Sequence, residues 1–444
     1  MSAAAPRLGY ASVAGAILTL AVPTTMQSLL QAGAVLVETV VAARLGREAL
    51  AGYAVVLPFT LLLGQMSAGA MGGGVVSAIA RALGAKRPDE ASAMVLHALT
   101  IAMLFAAAFI LAMVVFPRPI FTAIGGPEAA AEAVPYAVAF FGLGAVPAWL
   151  ANTLASVLRG AGRHGLAARI NSMAWLVFPA LGWLLAEPLG LGMAGLGLGF
   201  GLAMWGAALM MGWVVMRGAA GFRPSLLVPF QAALFRRILA VGAVACALAT
   251  VANLTTILVT AQLKSYGPVA VAAYGVSARL EFLMIPLAFG VGSALTALVG
   301  RAAGAGNWEL ARRTAWVGGG MAFLVCAVVG LSVALAPQRF AGFFASDAEV
   351  QAIAGLALAF IGPAFAGFGL GMAMYFAAMG AGRMRWPVVA GLSRLGIAVL
   401  GGHLLANELG MGIEGHFLAV ALGITAYGVL AASAVRASVW SAPR

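Results

Sequence analysis

Long apolar runs separated by short polar breaks make up almost the whole chain and restrict its fold more than any other feature. Each run is close to or above the roughly 20 apolar residues that a helix needs to cross a bilayer. There are twelve such runs, at about 14–42, 50–80, 92–116, 133–157, 168–187, 192–216, 238–263, 269–300, 313–336, 348–378, 387–405 and 415–435. Helices satisfy their own backbone hydrogen bonds in lipid, whereas open sheets do not. The sequence therefore predicts an all-α integral membrane protein with twelve transmembrane helices.

Composition excludes a water-soluble protein. Only 9% of the 444 residues are charged and 63% are hydrophobic, whereas soluble domains carry roughly 25% charged residues. Cys246 and Cys326 both lie in apolar runs, so we expect neither a disulfide framework nor a metal site. The histidines lack metal-binding spacing and the nucleophile motif GxSxG is absent. The sequence predicts no cofactor and no enzymatic activity.

Basic residues are distributed unequally between the two sets of connections. Nineteen of the 25 Lys and Arg residues fall on one side, Arg394 counted among them, against five on the other side and Arg279 inside a span. Cytoplasmic loops carry the excess of Lys and Arg. We therefore predict a multi-pass protein with both termini in the cytoplasm, and we assign the net charge of +12 to these loops rather than to nucleic-acid binding.

An internal repeat divides the chain into two halves. Three separated loop motifs recur 220 residues later: 81–91 matches 301–311, 160–163 matches 380–383, and 189–192 matches 409–412. The sequence thus predicts two six-helix bundles, residues 1–220 and 221–444, joined near 217–236. An even number of spans per half makes the repeat parallel, a geometry of transporters that work by alternating access.

Glu38 is the strongest candidate for a functional residue. It lies within an apolar stretch of the first span, eight residues before Gly46, or about 12 Å from the outer end of the helix. A charge inside a membrane span is costly, and such residues usually serve a function. Burial favours the neutral carboxyl, which suits a group that binds and releases a proton or Na⁺.

The second half carries its own charged pair inside a span, Arg279 and Glu281. Residues two apart point in directions about 200° apart on a helix, so these two side chains should not pair with each other. Glu281 either faces a cavity or forms a packing salt bridge with another helix, and the sequence leaves both readings open. Polar residues of the first and seventh spans are further candidates for lining a cavity, among them Gln27, Gln31 and Asn253.

Several of these segments resemble the multidrug and toxic compound extrusion (MATE) family of transporters. The resemblance is carried by Pro23, 37–39, 44–46, 78–85, 278–282 and 285–292, and it covers essentially the whole chain. It implies an inverted-V inner-membrane antiporter that exports organic cations against a proton or Na⁺ gradient. Glu38 stands fifteen residues after Pro23, where the DinF-like branch has an Asp, so the chain is most similar to that branch.

The chain departs from the patterns of both branches. Phe178 and Ala174 replace the fifth-span Asp and Asn of the DinF-like branch, and the acids that the NorM-like branch has in spans seven and ten are missing. Na⁺ requires several oxygen ligands, and only Thr39 and Gln31 are near Glu38 in sequence, so we favour H⁺ over Na⁺ as the coupling ion. Pro23 is the expected hinge of the first helix, because proline removes a helical hydrogen bond.

Together these observations predict a monomeric secondary antiporter in the inner membrane that exports organic cations, drugs or metabolites. Its expected partners are the lipid bilayer and a small, cationic, amphipathic substrate. The alternative is a flippase of a lipid-linked or amphipathic substrate, which would favour a cavity with several arginines, and only Arg279 is available. A passive channel fits poorly with duplicated halves.

Overall fold

The computed structural model describes residues 10–436 and 440–441, and within these ranges the chain is helical without any strand. In chain order the first eight α-helices are α1 (Tyr10–Leu45), α2 (Arg47–Gly64), α3 (Met71–Gly84), α4 (Pro88–Ile110), α5 (Pro117–Gly160), α6 (His164–Ala186), α7 (Gly192–Met216) and α8 (Ala232–Leu263). The remaining seven are α9 (Pro268–Gly304), α10 (Trp308–Leu335), α11 (Pro337–Phe344), α12 (Ala348–Ile361), α13 (Phe365–Ala381), α14 (Arg385–Gly396) and α15 (Ile413–Ser433).

Short π-helical and 3₁₀ segments join some of these helices into longer rods. The π-helix Gln65–Ala70 connects α2 to α3, and the 3₁₀ turn Gly362–Ala364 connects α12 to α13. Two further π segments, Ile397–Gly401 and Leu404–Glu408, extend α14. Each joined pair is long enough to cross a bilayer as one element.

Eleven helical elements in the described residues are long and apolar enough to span a membrane. They correspond to eleven of the twelve runs read from the sequence. The element outside this set is α6, which has 23 residues and thus the length of a span, about 34 Å at 1.5 Å per residue. Its polar residues Arg169 and Asn171 and its Pro179 lower its apolar character.

Glycine and proline set several helix boundaries. Gly46 and Gly267 precede α2 and α9 with φ of 128° and 92°, a backbone conformation that only glycine adopts easily. Inside α5, Gly126 has φ 81° and ψ 172°, which breaks the helix just before Pro127. Proline at the first helical position costs no hydrogen bond, and four helices begin in this way: α4, α5, α9 and α11.

Helix starts recur at the spacing of the sequence repeat. The first residues of α4 and α10, Pro88 and Trp308, are 220 positions apart, and so are those of α5 and α11, Pro117 and Pro337. Each half therefore places corresponding helices at corresponding positions in the chain.

By packing, the chain divides into two compact units. One is Val22–Ala243, and the other takes the described residues up to Ala21 together with those from Val244 onward. Both boundaries fall within a helix, the first in α1 two residues before Pro23 and the second in α8. The division by packing is thus distinct from the division by sequence repeat, whose junction is the connection around 217–236.

Each unit has its own buried core. In the unit Val22–Ala243, α5 and α7 pack through stacked Phe140 and Phe200 rings, whose centroids are 3.9 Å apart. In the other unit, one cluster gathers around Phe365 and Phe417, and a second around Met374 and Leu295, with Ile17 of α1 packed into it. Burial of these side chains fixes the helix faces that carry the polar residues described next.

Candidate functional site

Glu38 of α1 is buried, with 3% of its surface exposed, and both of its carboxylate oxygens accept hydrogen bonds. The Tyr136 hydroxyl donates to Oε1 at 2.7 Å, and the Tyr53 hydroxyl donates to Oε2 at 3.0 Å. Both tyrosines are themselves buried. Among the described residues Glu38 is the only acid in the buried class. The structure thus gathers an acid and two phenols from three helices into one enclosed group.

Close helix packing brings the two tyrosines to the carboxylate. A Cβ added at Gly52, next to Tyr53, would lie 2.7 Å from the Ala133 backbone nitrogen of α5. A Cβ at Gly197 of α7 would lie 2.6 Å from the Tyr136 carbonyl oxygen. Only glycine permits such approaches. Gly52 and Gly197 therefore let α2, α5 and α7 come together at the height where Tyr53 and Tyr136 reach Glu38.

Opposing forces act on this carboxyl. Removal from water disfavours its charged form, whereas hydrogen bonds from two hydroxyl groups stabilise that form. The Tyr53 and Tyr136 rings meet edge to face with centroids 5.5 Å apart, which is a favoured aromatic geometry. The site is therefore rigid in its ring packing, and only the hydroxyl hydrogens are free to turn.

The other candidates of α1 do not contact the carboxylate. The Thr39 hydroxyl donates to the Val35 carbonyl at 2.8 Å, so it serves its own helix. Gln27 is buried and its Oε1 has no hydrogen-bond partner among the described residues. Gln31 is partly buried, with Nε2 3.7 Å from where a Cβ on Gly64 of α2 would stand.

Asn253 and Pro23 also lie away from the carboxylate. The Asn253 amide donates to the Ala249 carbonyl at 2.8 Å, within α8. Pro23 lies inside α1, which continues as a helix on both sides of it. Pro23 adjoins the unit boundary between Ala21 and Val22.

Glu281 and Arg279 point in different directions, as helical geometry requires. Arg279 is exposed, whereas Glu281 Oε1 accepts a hydrogen bond from Arg394 Nη2 of α14. Arg394 is buried, and its guanidinium carbon lies 5.7 Å from the centre of the Phe368 ring. Of the two readings that the sequence left open for Glu281, the structure thus shows an ion pair between helices.

The assignment of Arg394 to a cytoplasmic loop was wrong. Arg394 lies inside the membrane-spanning element Arg385–Glu408, where Glu281 offers it a counter-charge. A buried guanidinium needs such a partner, and a count of loop charges overlooks a residue whose partner is 113 positions away.

Sequence reasoning also missed Tyr53 and Tyr136 as partners of Glu38. The available signal was scarcity, because the chain has only seven tyrosines and a phenol within a span needs a hydrogen-bond partner. In the described ranges, no group of three or more His, Cys, Asp or Glu residues is placed to hold a metal ion.

A buried, hydrogen-bonded carboxylate inside a bundle of membrane-spanning helices defines a class of protein, the membrane transporters. The MatE family model matches residues 23–184 and again residues 243–404, and the two matched segments are 220 residues apart. The chain belongs to the MATE family, whose members are transporters and not enzymes.

Curated relatives cover most of the chain. The "Probable multidrug resistance protein NorM" of Deinococcus radiodurans is 28% identical over 96% of this chain and 95% of its own length. The "FAD transporter" of Shewanella oneidensis is 22% identical over 77% of this chain and 76% of its own length.

Solved structures show the same fold. A MOP superfamily transporter from Pyrococcus furiosus is 21% identical, with a TM-score of 0.88 over 96% of both chains. The Vibrio cholerae MATE transporter VcmN in its bent form is 20% identical, with a TM-score of 0.85 over 97% of this chain and 98% of that one.

Proposed function

We propose that this protein is a secondary antiporter that exports small organic cations, drugs or metabolites in exchange for H⁺. The observation that carries the proposal is the buried Glu38 carboxylate with its two tyrosine donors. We place the protein in the inner membrane as a monomer with no cofactor, both termini in the cytoplasm, and H⁺ as its only coupling ion.

The proposed topology has twelve spans in two parallel halves. α6 is the twelfth span, because its 23 residues suffice to cross the bilayer and because it lies between α5 and α7, which both span. The doubled family match at a spacing of 220 residues and the recurring helix starts support two halves of common origin, residues 1–220 and 221–444.

The surroundings of Glu38 favour H⁺ over Na⁺. A hard cation takes several oxygen ligands, but both oxygens of Glu38 already accept hydroxyl donors, and the Thr39 hydroxyl serves its own helix. Phe178, at the position of the family's fifth-span acid, is buried against the Phe200 ring at 5.6 Å. A proton needs only the carboxylate itself.

Proton binding would change the hydrogen bonds of the site. An ionised carboxylate only accepts hydrogen bonds, whereas a carboxylic acid also has a hydrogen to donate. When one oxygen of Glu38 takes the proton, the tyrosine hydroxyl at that oxygen must turn, and α1 loses part of its link to α2 or α5. Proline 23 lies fifteen residues earlier in the same helix and gives α1 a place to bend.

Alternating access then follows from differential binding. If the outward-open and inward-open states hold the Glu38 proton with different affinity, the proton gradient biases the equilibrium between them. The names of the curated relatives indicate drugs for one and FAD for the other, and we assign drug-like organic cations to this chain. A flippase is less favoured, since Arg394 is neutralised by Glu281 and Arg279 is exposed.

Efflux from proteoliposomes tests the proposal. With a cationic fluorescent dye as substrate, we expect a pH gradient without Na⁺ to drive transport, and a Na⁺ gradient without a pH difference to fail. Glu38→Gln should abolish gradient-driven efflux, and Glu38→Asp should retain part of it. Efflux driven only by Na⁺, or undiminished transport by Glu38→Gln, would contradict proton coupling at Glu38.

A further inference from the structure

A basic cavity lies at the ends of α3 and α8 and the beginning of α4, within the unit Val22–Ala243. It has a volume of about 180 Å³, enough for more than one water-sized group. Its lining residues are Ala78, Arg81, Ala82, Arg87, Glu90, Met94 and Arg237. The span containing α3 ends at Gly84 and the next begins at Pro88, so the cavity lies at the height of the lipid headgroups.

Three arginines share a single acid in this cavity. Glu90 Oε2 binds Arg87 Nη1 at 2.7 Å, and Glu90 Oε1 binds Arg237 Nη1. Arg81 donates from Nε to the Ser77 carbonyl at 3.3 Å and experiences the positive charge of Arg237. One carboxylate cannot neutralise three guanidinium groups, so the cavity keeps a net charge of two positive units.

This arrangement is not a general property of the repeat. The positions 220 residues after Arg81, Arg87 and Glu90 are Arg301, Asn307 and Leu310. Asn307 instead caps its helix, accepting a hydrogen bond from the Leu310 backbone at 3.0 Å. Only one of the three charges recurs in the second half, so the cavity is a feature of the first half alone.

We propose that this cavity binds a phosphate group, supplied by the headgroup of an anionic phospholipid. Guanidinium groups match phosphate oxygens with paired hydrogen bonds, and basic pockets between membrane helices bind anionic headgroups. Ala78, Ala82 and Met94 give the cavity an apolar wall beside its charges, as a lipid with a charged head and apolar chains requires. The cytoplasmic leaflet as its source rests on the orientation proposed above, whereas the site itself does not.

Glu90 competes with the phosphate for Arg87 and Arg237, which gives the proposal an unusual sign. Replacing this acid by a neutral amide removes a negative charge from the cavity while keeping the side-chain shape. Glu90→Gln should therefore bind the phosphate more tightly, whereas loss of either arginine should weaken binding. A purely structural role for the ion pairs predicts no gain in lipid binding for Glu90→Gln.

Native mass spectrometry of the delipidated full chain tests this, with phosphatidylglycerol and phosphatidylcholine of identical acyl chains as probes. We expect one phosphatidylglycerol to bind more tightly than phosphatidylcholine, Arg87→Gln and Arg237→Gln each to weaken it about fivefold, and Glu90→Gln to strengthen it. Arg236→Gln is the matched control, since Arg236 is the exposed neighbour of Arg237 on α8 and does not line the cavity.

Three results would overturn the proposal. They are equal binding of the two lipids, equal weakening by Arg236→Gln, and an unchanged affinity in Glu90→Gln. A parallel titration with inorganic phosphate separates the sources: tight binding that depends on Arg87 and Arg237, without preference for phosphatidylglycerol, would replace the lipid by a soluble phosphate compound. The measurement involves no transport, so failure of proton-coupled efflux leaves it unaffected.

Discussion

Tyr136 donates a 2.7 Å hydrogen bond to Glu38 across 98 positions of the chain. The pair exists only because α1 and α5 fold against each other, and the Tyr53 hydroxyl completes it from α2. The carboxylate thereby connects three helices of one unit. A change in its protonation is felt by all three helices at once, which is what a coupling site in a transporter requires.

Tyr136→Phe should slow proton-driven efflux at least threefold. The substitution keeps the buried ring and removes only the hydroxyl, and a hydrogen bond to a charged group contributes about 1.5–3 kcal/mol. Efflux of a fluorescent cation from proteoliposomes under a fixed pH gradient measures the effect.

The control for Tyr136→Phe is the same substitution in a Glu38→Gln background, where it should change neither efflux nor melting temperature further. Equal losses of melting temperature in both backgrounds would show that the Tyr136 hydroxyl acts independently of Glu38.

The fold was largely predictable from the sequence because lipid leaves few alternatives. Apolar runs located eleven elements that the structure shows to be long enough to span, and glycines such as Gly46 and Gly267 marked helix boundaries. Packing within the units was not predictable in this way. The division of α1 at Ala21 depends on contacts such as that of Ile17 with the second core cluster, and such contacts have no local signature.

The candidate site was predictable only in part. Glu38 stands out because a lone acid among valines has a clear cost. Its partners Tyr53 and Tyr136 do not stand out, because a phenol is amphipathic and is common in apolar segments. Arg394 was misplaced for the same reason in reverse, since its charge is evident but its partner Glu281 lies on another helix.

Gly52→Ala should disrupt the site without touching any of its polar atoms. A methyl group there would lie 2.7 Å from the backbone of α5, so α2 and α5 would have to separate, at a cost of about 1–3 kcal/mol. We expect a lower melting temperature and slower efflux, because Tyr53 and Tyr136 would no longer reach Glu38 together.

Gly33→Ala is the matched control for Gly52→Ala. Gly33 lies in α1, and an added Cβ there meets no atom within 4 Å; alanine favours the helix by roughly 0.5–1 kcal/mol. Its efflux should equal that of the wild type. Wild-type efflux in Gly52→Ala, or an equal loss in Gly33→Ala, would refute the packing argument.

Cysteine labelling should establish the orientation of the chain. Arg87, Arg385 and Glu128 are all exposed, so a cysteine at each position is accessible to a membrane-impermeant maleimide. We expect Arg87→Cys and Arg385→Cys to react only in inverted vesicles and Glu128→Cys only in intact cells. The buried Cys246 and Cys326 are replaced by alanine in the background used for all three, and the opposite pattern of labelling would reverse the assignment.

The ion pair between Glu281 and Arg394 should be structural and should carry no coupling ion. Glu281→Gln alone leaves a buried guanidinium without its counter-charge, which typically costs about 3–5 kcal/mol, so we expect low yield and a low melting temperature. The neutral pair Glu281→Gln with Arg394→Gln removes both charges together, and its proton-driven efflux should stay within twofold of the wild type. Reconstituted efflux, normalised to the amount of folded protein, separates the two effects. A double variant that folds normally but loses proton-driven efflux would assign Glu281 to the coupling pathway beside Glu38.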